Sequence, residues 1–112
     1  MNKKRNKLQI IHDILHVIRE KNGKIKPTHI LYKSNLSHQM MEEYLTELIE
    51  KEFILEIGTK KERRYAITNK GSNFLEKYNI ILEFTNSFGL GDWFSPKKAT
   101  SEKIEKNQPY YQ

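Results

Sequence analysis

Two apolar stripes in one N-terminal segment limit the folds open to this chain more than any other feature of its sequence. They recur at helical spacing within residues 4–22 and consist of Leu8, Ile11, Leu15 and Ile18 in one stripe and Ile10, Ile14 and Val17 in the other. At ~100° per residue, the two stripes together cover about half of the helix circumference. A surface helix usually has a narrower apolar stripe. We therefore expect a helix that packs against two different neighbours.

Two shorter helical patterns follow the first one. Gly23 can end the first helix because glycine tolerates a left-handed cap, and residues 24–26 form either a short strand or a plain connector. Pro27 suits the first turn of a helix over residues 27–33. Ser37 is a favourable N-cap for a third helix over residues 37–51. The sequence therefore predicts two helices joined by a short turn.

Two short β-prone runs come next, at residues 53–57 and 64–67, and they flank a charged segment at residues 58–63. This pattern predicts a β-hairpin with a basic tip. Two helices joined by a short turn and followed by a basic hairpin make a winged helix-turn-helix. The predicted fold class is thus mainly α with a small β-hairpin, extended by one more helix at the C-terminal side.

The last helical pattern divides the rest of the chain. Thr68 can cap a helix that Gly89 and Gly91 end. Beyond it the sequence is polar and has no sustained period, as in a flexible tail. We predict a winged helix-turn-helix domain at residues 1–68, a dimerisation helix at 69–90 and a polar tail at 91–112.

Residues 30–54, ILYKSNLSHQMMEEYLTELIEKEFI, contain Tyr-x-x-Asn-Leu-Ser at the turn, from Tyr32 to Ser37. Residues 65–71, YAITNKG, form a second motif at the exit from the hairpin. Both resemble the corresponding segments of small archaeal winged-helix regulators, and the likeness covers residues 4–78. The resemblance implies a transcription regulator or a chromatin-type DNA-binding protein that dimerises through an antiparallel coiled coil of its last helix. The chain departs from that family at Glu42 and Glu43, where basic residues are common.

The composition limits which partners the chain can bind and which kinds of site it can form. The 112 residues carry a formal charge of +6, which suits a polyanion such as DNA, although a charge that serves only solubility is the alternative. The chain has no cysteine, so no disulfide or thiolate zinc site is possible. No apolar run approaches the ~20 residues of a membrane span. We expect a cytoplasmic, nucleoid-associated protein without a membrane partner or a cofactor.

The third helix and the hairpin are the predicted DNA-binding elements, as recognition helix 37–51 and basic wing 58–64. The N-terminal half of a recognition helix enters the major groove, where Gln39 can pair with adenine and Glu42 or Glu43 with cytosine. The cations of the wing and of the N-terminal arm would hold the DNA backbone. The predicted contacts are Lys33, Ser37, His38, Gln39, Glu42, Glu43, Thr46, Lys60, Lys61, Arg63 and Arg64, with Lys3, Lys4 and Arg5 from the arm.

The acidic face of the third helix leaves a second function open. Carboxylates repel phosphate, so this face is either simply solvated or belongs to a winged-helix module that binds another protein and no DNA. A partner with a basic groove would then be expected. We find no pattern of a catalytic site and expect no enzyme.

The last helix carries a short heptad seam that predicts a homodimer. Its apolar positions are separated by alternating steps of four and three, with two leucines alongside. The predicted interface consists of Phe74, Leu75, Tyr78, Ile81, Leu82, Thr85 and Phe88. Packing of this seam on the chain's own domain is the alternative.

His12 and His16 stand four residues apart on the first helix, a spacing that metal ligands share. No cysteine or carboxylate is spaced to complete a site, so we interpret them as two surface histidines and predict no metal.

Overall fold

The computed structural model describes residues 5–94. Within them it contains five helices and two strands: α1 (Lys7–Glu20), α2 (Pro27–Ser34), α3 (His38–Glu50), β1 (Ile54–Gly58), β2 (Arg63–Ile67), α4 (Asn69–Ser87) and α5 (Gly91–Phe94). The order and the type of the first six elements are those predicted from the sequence, and their ends differ from the predicted ones by at most three residues. The mainly helical fold with a two-stranded hairpin is confirmed.

Helix α1 lies at the centre of the domain. The side chain of Asn6 caps it by accepting a hydrogen bond from the amide of Gln9 at 2.7 Å. All but one of the residues of the two predicted stripes are buried, and the helix contacts α2, α4 and β2. The prediction of more than one neighbour is confirmed. Leu8 is the exception, with 49% of its surface exposed.

The turn between α2 and α3 depends on one residue with left-handed backbone geometry. Asn35 has φ 55° and ψ 55°, and its amide hydrogen-bonds the carbonyl of Tyr32 at 3.3 Å. Asparagine adopts this conformation more readily than most residues. The hydroxyl of Ser37 then accepts a hydrogen bond from the amide of Met40 at 3.1 Å and so caps α3 as predicted. This turn sets the direction of the third helix.

Strands β1 and β2 form an antiparallel hairpin in which Ile54 pairs with Ile67 and Gly58 pairs with Arg63. The connector at residues 24–26 supplies an isolated bridge, from Ile25 to Tyr65 on β2. This bridge decides between the two expectations for that segment in favour of a strand-like contact. Tyr65 is fully buried, so one face of the hairpin lies against the helices.

Helix α4 begins at the predicted cap, where the hydroxyl of Thr68 accepts a hydrogen bond from the amide of Gly71 at 3.1 Å. Its first half packs on the domain itself. Leu75 and Tyr78 are buried, and Phe74 packs against the same core. These three residues of the predicted dimer seam therefore face their own chain, which corrects that part of the prediction. The physical reason is that a heptad spacing is the same whether its partner is another chain or α1.

The segment predicted to be a flexible tail starts with an ordered turn of helix, α5. Gly91 is buried, and the ring of Phe94 lies 4.7 Å from the ring of Tyr78. The side-chain Nδ2 of Asn6 also donates to the carbonyl of Phe94 at 3.2 Å. Residues 91–94 are thus part of the domain, which corrects the predicted boundary, while the rest of the predicted tail lies outside the described residues. None of the helices in residues 5–94 is long and apolar enough to cross a membrane.

Candidate nucleic-acid interface

The start of α3 is the most accessible part of the predicted recognition helix. Ser37, His38 and Gln39 are exposed, whereas the opposite side of the helix places Met41 and Leu45 in the core. The N-terminal end of a helix carries a partial positive charge and free amide groups, both of which favour a phosphate or a polar base edge. This end of α3 therefore has the accessibility and the polarity that a DNA contact requires.

The carboxylates further along α3 have partners within the protein. The guanidinium of Arg63 on β2 donates to Glu42 at 2.8 and 3.3 Å. The ammonium of Lys7 lies 3.1 Å from a carboxylate oxygen of Glu47, and Gln39 donates to Glu43 at 3.3 Å. Two of the four carboxylates of α3, those of Glu42 and Glu47, are thus paired by cations of other elements.

The Arg63–Glu42 pair changes the acidity of both groups. The hydrogen bonds from Arg63 lower the pKa of Glu42 below its ordinary value, against the opposite effect of burial. The hydrogen bonds to Glu42 raise the pKa of Arg63. Both side chains keep about a third of their surface exposed, at 29% for Arg63 and 35% for Glu42. The pair is therefore charged throughout the physiological pH range and sits at the edge of the domain.

A shallow open groove of about 570 Å³ runs along the middle of α3. Most of its lining is acidic, and it consists of Glu42, Glu43, Thr46, Glu47, Glu50 and Lys51. A duplex would meet like charge here, because phosphate is repelled by carboxylate. Close approach of DNA is thus favoured at the start of α3 and disfavoured at its middle, where Thr46 lies.

The tip of the hairpin presents free cations. The backbone amide of Glu62 donates hydrogen bonds to the carbonyl and to the hydroxyl of Thr59, at 3.1 Å in each case, and these bonds tighten the turn. Lys60 and Lys61 are exposed and have no ion-pair partner among residues 5–94. The Nε atom of Arg64 is buried and has no hydrogen-bond partner within those residues. The two lysines are consequently the cations of the wing that a phosphate can reach most easily.

The predicted N-terminal arm is tied to the body of the protein at Arg5. Its guanidinium lies 2.7 Å from the carboxylate of Asp13 and donates to the carbonyl of Asn35 at 3.0 Å. Arg5 thus links the start of the chain to the turn before α3. Lys3 and Lys4 lie outside the described residues. Lys33 is exposed at the end of α2, one turn before α3.

The hairpin beside the second helix of a helix-turn-helix pair identifies the architecture. A family model described as winged helix-turn-helix matches residues 4–86. The chain belongs to the winged helix-turn-helix family. We keep the name recognition helix for α3, after its predicted role, and we call the hairpin β1–β2 the wing.

Two archaeal proteins are similar to this winged-helix chain in sequence, both from Methanocaldococcus jannaschii. The uncharacterized protein MJ0290 is 38% identical over 78 residues, which are 70% of this chain and 34% of that protein. The uncharacterized protein MJ0287 is 30% identical over 84 residues, which are 75% of this chain and 80% of that protein. The match therefore spans about a third of the length of the first relative and most of the second.

Solved structures share the fold at low sequence identity. Sso10a-2, a DNA-binding protein from Sulfolobus solfataricus, matches with a TM-score of 0.66 and 18% identity over 91% of this chain and 95% of that one. A mutant of S. aureus MepR bound to an oligodeoxyribonucleotide matches with a TM-score of 0.61 and 12% identity, over 88% of this chain and 71% of that one. These likenesses establish the fold of the chain.

Sequence reasoning missed two features of this surface. Tyr32 on α2 is 76% exposed beside the turn, although its place in the Tyr-x-x-Asn-Leu-Ser motif was known. The pairing of Lys7 with Glu47 joins α1 to the recognition helix across 40 positions of the chain. No local sequence pattern could have predicted an ion pair between residues so far apart in the chain. The exposure of Tyr32 could have been predicted, because this tyrosine lies on the polar face of a short helix.

The two histidines of α1 differ in their surroundings. His12 is partly buried, because its ring stacks on Tyr78 at 4.2 Å and its Nδ1 lies 3.2 Å from the carboxylate of Asp13. His16 is exposed and lies 3.2 Å from Glu20. Residues 5–94 contain no group of three side chains that could hold a metal ion. The interpretation as surface histidines holds for His16 and is wrong for His12, which the aromatic ring of α4 covers.

Proposed function

We propose that this chain binds double-stranded DNA as a dimer and acts as a transcriptional regulator in the cytoplasm, associated with the nucleoid. The observation that carries the proposal is the juxtaposition of an accessible recognition-helix start, at Ser37–Gln39, with a wing tip whose lysines lack internal partners among residues 5–94. The solved structures of Sso10a-2, a DNA-binding protein, and of MepR with an oligodeoxyribonucleotide support this reading of the fold. DNA contact by Lys33, Thr46 and Arg64 remains a prediction.

The proposed contacts follow from the position of each element. The first turn of α3 enters the major groove. There the side-chain amide of Gln39 gives up its hydrogen bond to Glu43 and pairs with the edge of an adenine. Ser37 and His38 bind the phosphate beside the helix start, since both lie at its positive end. Lys60 and Lys61 hold the backbone next to that groove. Affinity thus comes mainly from cations at the edge of the interface, and sequence preference from a few polar groups of α3.

Dimerisation is proposed through the second half of α4. Its exposed apolar residues are Ile80, Ile81, Phe84 and Phe88, with between 45% and 65% of their surfaces accessible. Trp93 on α5 adds a further exposed aromatic, at 79%. A patch of this kind on a small domain is rarely left in water. A second copy of the same helix would cover it, with Leu82 and Thr85 of the predicted seam at its edge.

The acidic groove on α3 favours one other function, a winged-helix module that binds a basic protein segment and no DNA. The carboxylates of Glu43 and Glu50, which no cation of the described residues pairs, are the specific observation behind it. The two functions differ in one measurable property. The interaction module would not retard DNA at moderate salt, whereas the regulator would.

A mobility-shift titration tests the proposed function. Wild-type protein is titrated on random-sequence and on genomic DNA at two NaCl concentrations, beside the variant Lys60→Ala/Lys61→Ala. A double variant at two exposed lysines that belong neither to α3 nor to the wing, Lys21→Ala/Lys77→Ala, has the same net charge and serves as the control. We expect the wing variant to lose affinity and to have a salt dependence flatter by roughly two phosphate contacts, while the control changes little. Equal effects of the two variants would contradict the assignment of the wing.

The same titration separates two kinds of DNA-binding protein. A regulator protects one operator and prefers it strongly over random sequence. A chromatin-type protein shows a steep salt dependence with little difference among sequences. The tight operator footprint is the outcome that the proposed function expects.

A further inference from the structure

We propose that Glu42 is a positioning residue, which ties Arg63 of the wing to the recognition helix and withholds that arginine from DNA phosphate. This inference rests on the proposed function and adds to it a device that limits non-specific binding. It replaces the direct DNA contacts predicted for both residues from the sequence. The wing would then touch the DNA backbone through Lys60 and Lys61.

Arg63 and Glu42 form a bidentate ion pair. Both terminal nitrogens of Arg63 donate, Nη1 to Oε1 of Glu42 at 3.3 Å and Nη2 to Oε2 at 2.8 Å. A two-bond arrangement fixes the orientation of the guanidinium as well as its distance. The residues are 21 positions apart in the chain and belong to different elements, α3 and β2. The pair therefore sets the position of the wing relative to the recognition helix.

Strand alternation explains why Arg63, and not its neighbour, is held in this way. Side chains two apart share a face of a strand, so Arg63 lies on the face of Tyr65, which is fully buried against the helices. Arg64 lies on the other face, opposite Ile57. The direction of Arg63 toward α3 is consequently built into the register of the hairpin.

The electrostatic consequence concerns DNA. The carboxylate of Glu42 takes two of the five N–H donors of the Arg63 guanidinium, and its negative charge balances the positive charge of Arg63, so the pair offers a phosphate little net charge. Lys60 and Lys61 keep their charge, because they have no ion-pair partner within residues 5–94. Loss of Glu42 would free one more cation at the interface. In a protein whose recognition helix is acidic, the pair thus lowers affinity for arbitrary sequence and leaves more of the binding to the polar groups at the start of α3.

Four variants test this inference: Glu42→Gln, Arg63→Gln, Glu42→Gln/Arg63→Gln and, as the matched control, Glu50→Gln. The control removes the same charge from the same helix, at an exposed carboxylate that has no ion-pair partner among residues 5–94. Binding of a random-sequence DNA duplex is measured over a series of NaCl concentrations. Thermal unfolding first confirms that each variant is folded, which we expect because both side chains of the pair are partly exposed.

We expect Glu42→Gln to bind the random duplex several-fold more tightly than wild type and to steepen the plot of log K against log salt by about 1, the slope of one new phosphate contact. Glu50→Gln should leave that slope unchanged. The double variant should have the slope of wild type, because no free cation is gained or lost. A purely structural role for Glu42 would not raise affinity or steepen the slope.

Two results would overturn the inference. One is a wild-type slope in Glu42→Gln, and the other is a slope flatter by about 1 in the double variant, since that would show Arg63 already binding phosphate. The failure of the proposed function looks different: the wild-type chain itself would not retard the duplex at moderate salt. Weaker binding by Arg63→Gln is expected under the inference as well, because it leaves Glu42 unpaired beside the DNA.

Discussion

The carbonyl oxygen of Phe53 occupies the space that a side chain would need at Gly71. A Cβ at this position would overlap that oxygen and would also lie 2.7 Å from Cγ1 of Ile67. The same carbonyl accepts a hydrogen bond from the backbone amide of Thr68 at 3.1 Å, so the first turn of α4 rests directly on the segment that joins α3 to β1. This close approach explains why a glycine stands at the end of the motif at residues 65–71.

We expect Gly71→Ala to lower the free energy of unfolding by about 1–3 kcal/mol, the usual cost of forcing extra volume into a packed site. Urea denaturation followed by circular dichroism measures it. The control is Asn73→Ala, at an exposed position of the same helix, which should change stability by less than about 0.5 kcal/mol. Equal stability of Gly71→Ala and wild type would show that the backbone at Phe53 can move away from α4 at little cost in free energy.

Glu52 holds a backbone conformation that suits glycine better. Its φ of 65° lies in the left-handed region, and its side chain is exposed. We expect Glu52→Gly to raise the free energy of unfolding by about 0.5–1 kcal/mol, because the strain removed exceeds the flexibility gained by the unfolded chain. The same change at Glu76, an exposed helical position, should lower it by about 1 kcal/mol. Urea denaturation of both variants should thus give opposite signs.

The ion pair between Asp13 and Arg5 gives the fold a dependence on acid pH. Burial raises the pKa of Asp13, but hydrogen bonds with His12 and Arg5 outweigh it and hold this pKa below its ordinary value of 3.8. A depressed pKa means stabilisation that is complete above 3.8 and is lost as the pH falls through the lower pKa of the folded state.

We therefore expect Asp13→Asn to be less stable than wild type near neutral pH by about 1 kcal/mol, and the difference to narrow as the pH falls below about 4. Thermal unfolding over a pH series measures the difference. Glu76→Gln is the control, since Glu76 has no ion-pair partner among residues 5–94, and it should match wild type throughout. A difference that stays constant down to strongly acid pH would mean that the charge of Asp13 contributes nothing.

The proposed dimer depends on the exposed half of α4. We expect the wild-type chain to sediment as a dimer and Phe84→Glu to sediment as a monomer, because a buried, unpaired carboxylate is costly at an apolar interface. Sedimentation velocity distinguishes the two. Leu55→Glu, which changes an equally exposed apolar residue on the wing, should remain dimeric. A wild-type monomer at all concentrations measured would remove α4 as the dimerisation element.

The sequence predicted correctly those features that depend on interactions between neighbouring residues, such as helix caps and the buried face of a helix. The caps at Ser37 and Thr68 form the predicted hydrogen bonds, and the six buried residues of α1 come from the two stripes. Three residues of the predicted seam of α4, Phe74, Leu75 and Tyr78, pack on their own chain, while the role of the other seam residues in a dimer stays a prediction. Tyr78 is covered by His12 and Phe94, which lie far away in sequence on α1 and α5, while Phe84, outside the predicted seam, is 60% exposed.

The sequence by itself determined the succession of helices, turn and hairpin, because caps, periods and glycine positions act over a few neighbouring residues. Only the tertiary structure decided which charges stay free. Glu42 and Arg63 look like two DNA-facing groups in the sequence, yet the fold brings them to 2.8 Å from each other, while Lys60 remains exposed. Ion pairs depend on distances across the fold, and chain spacing does not encode those distances.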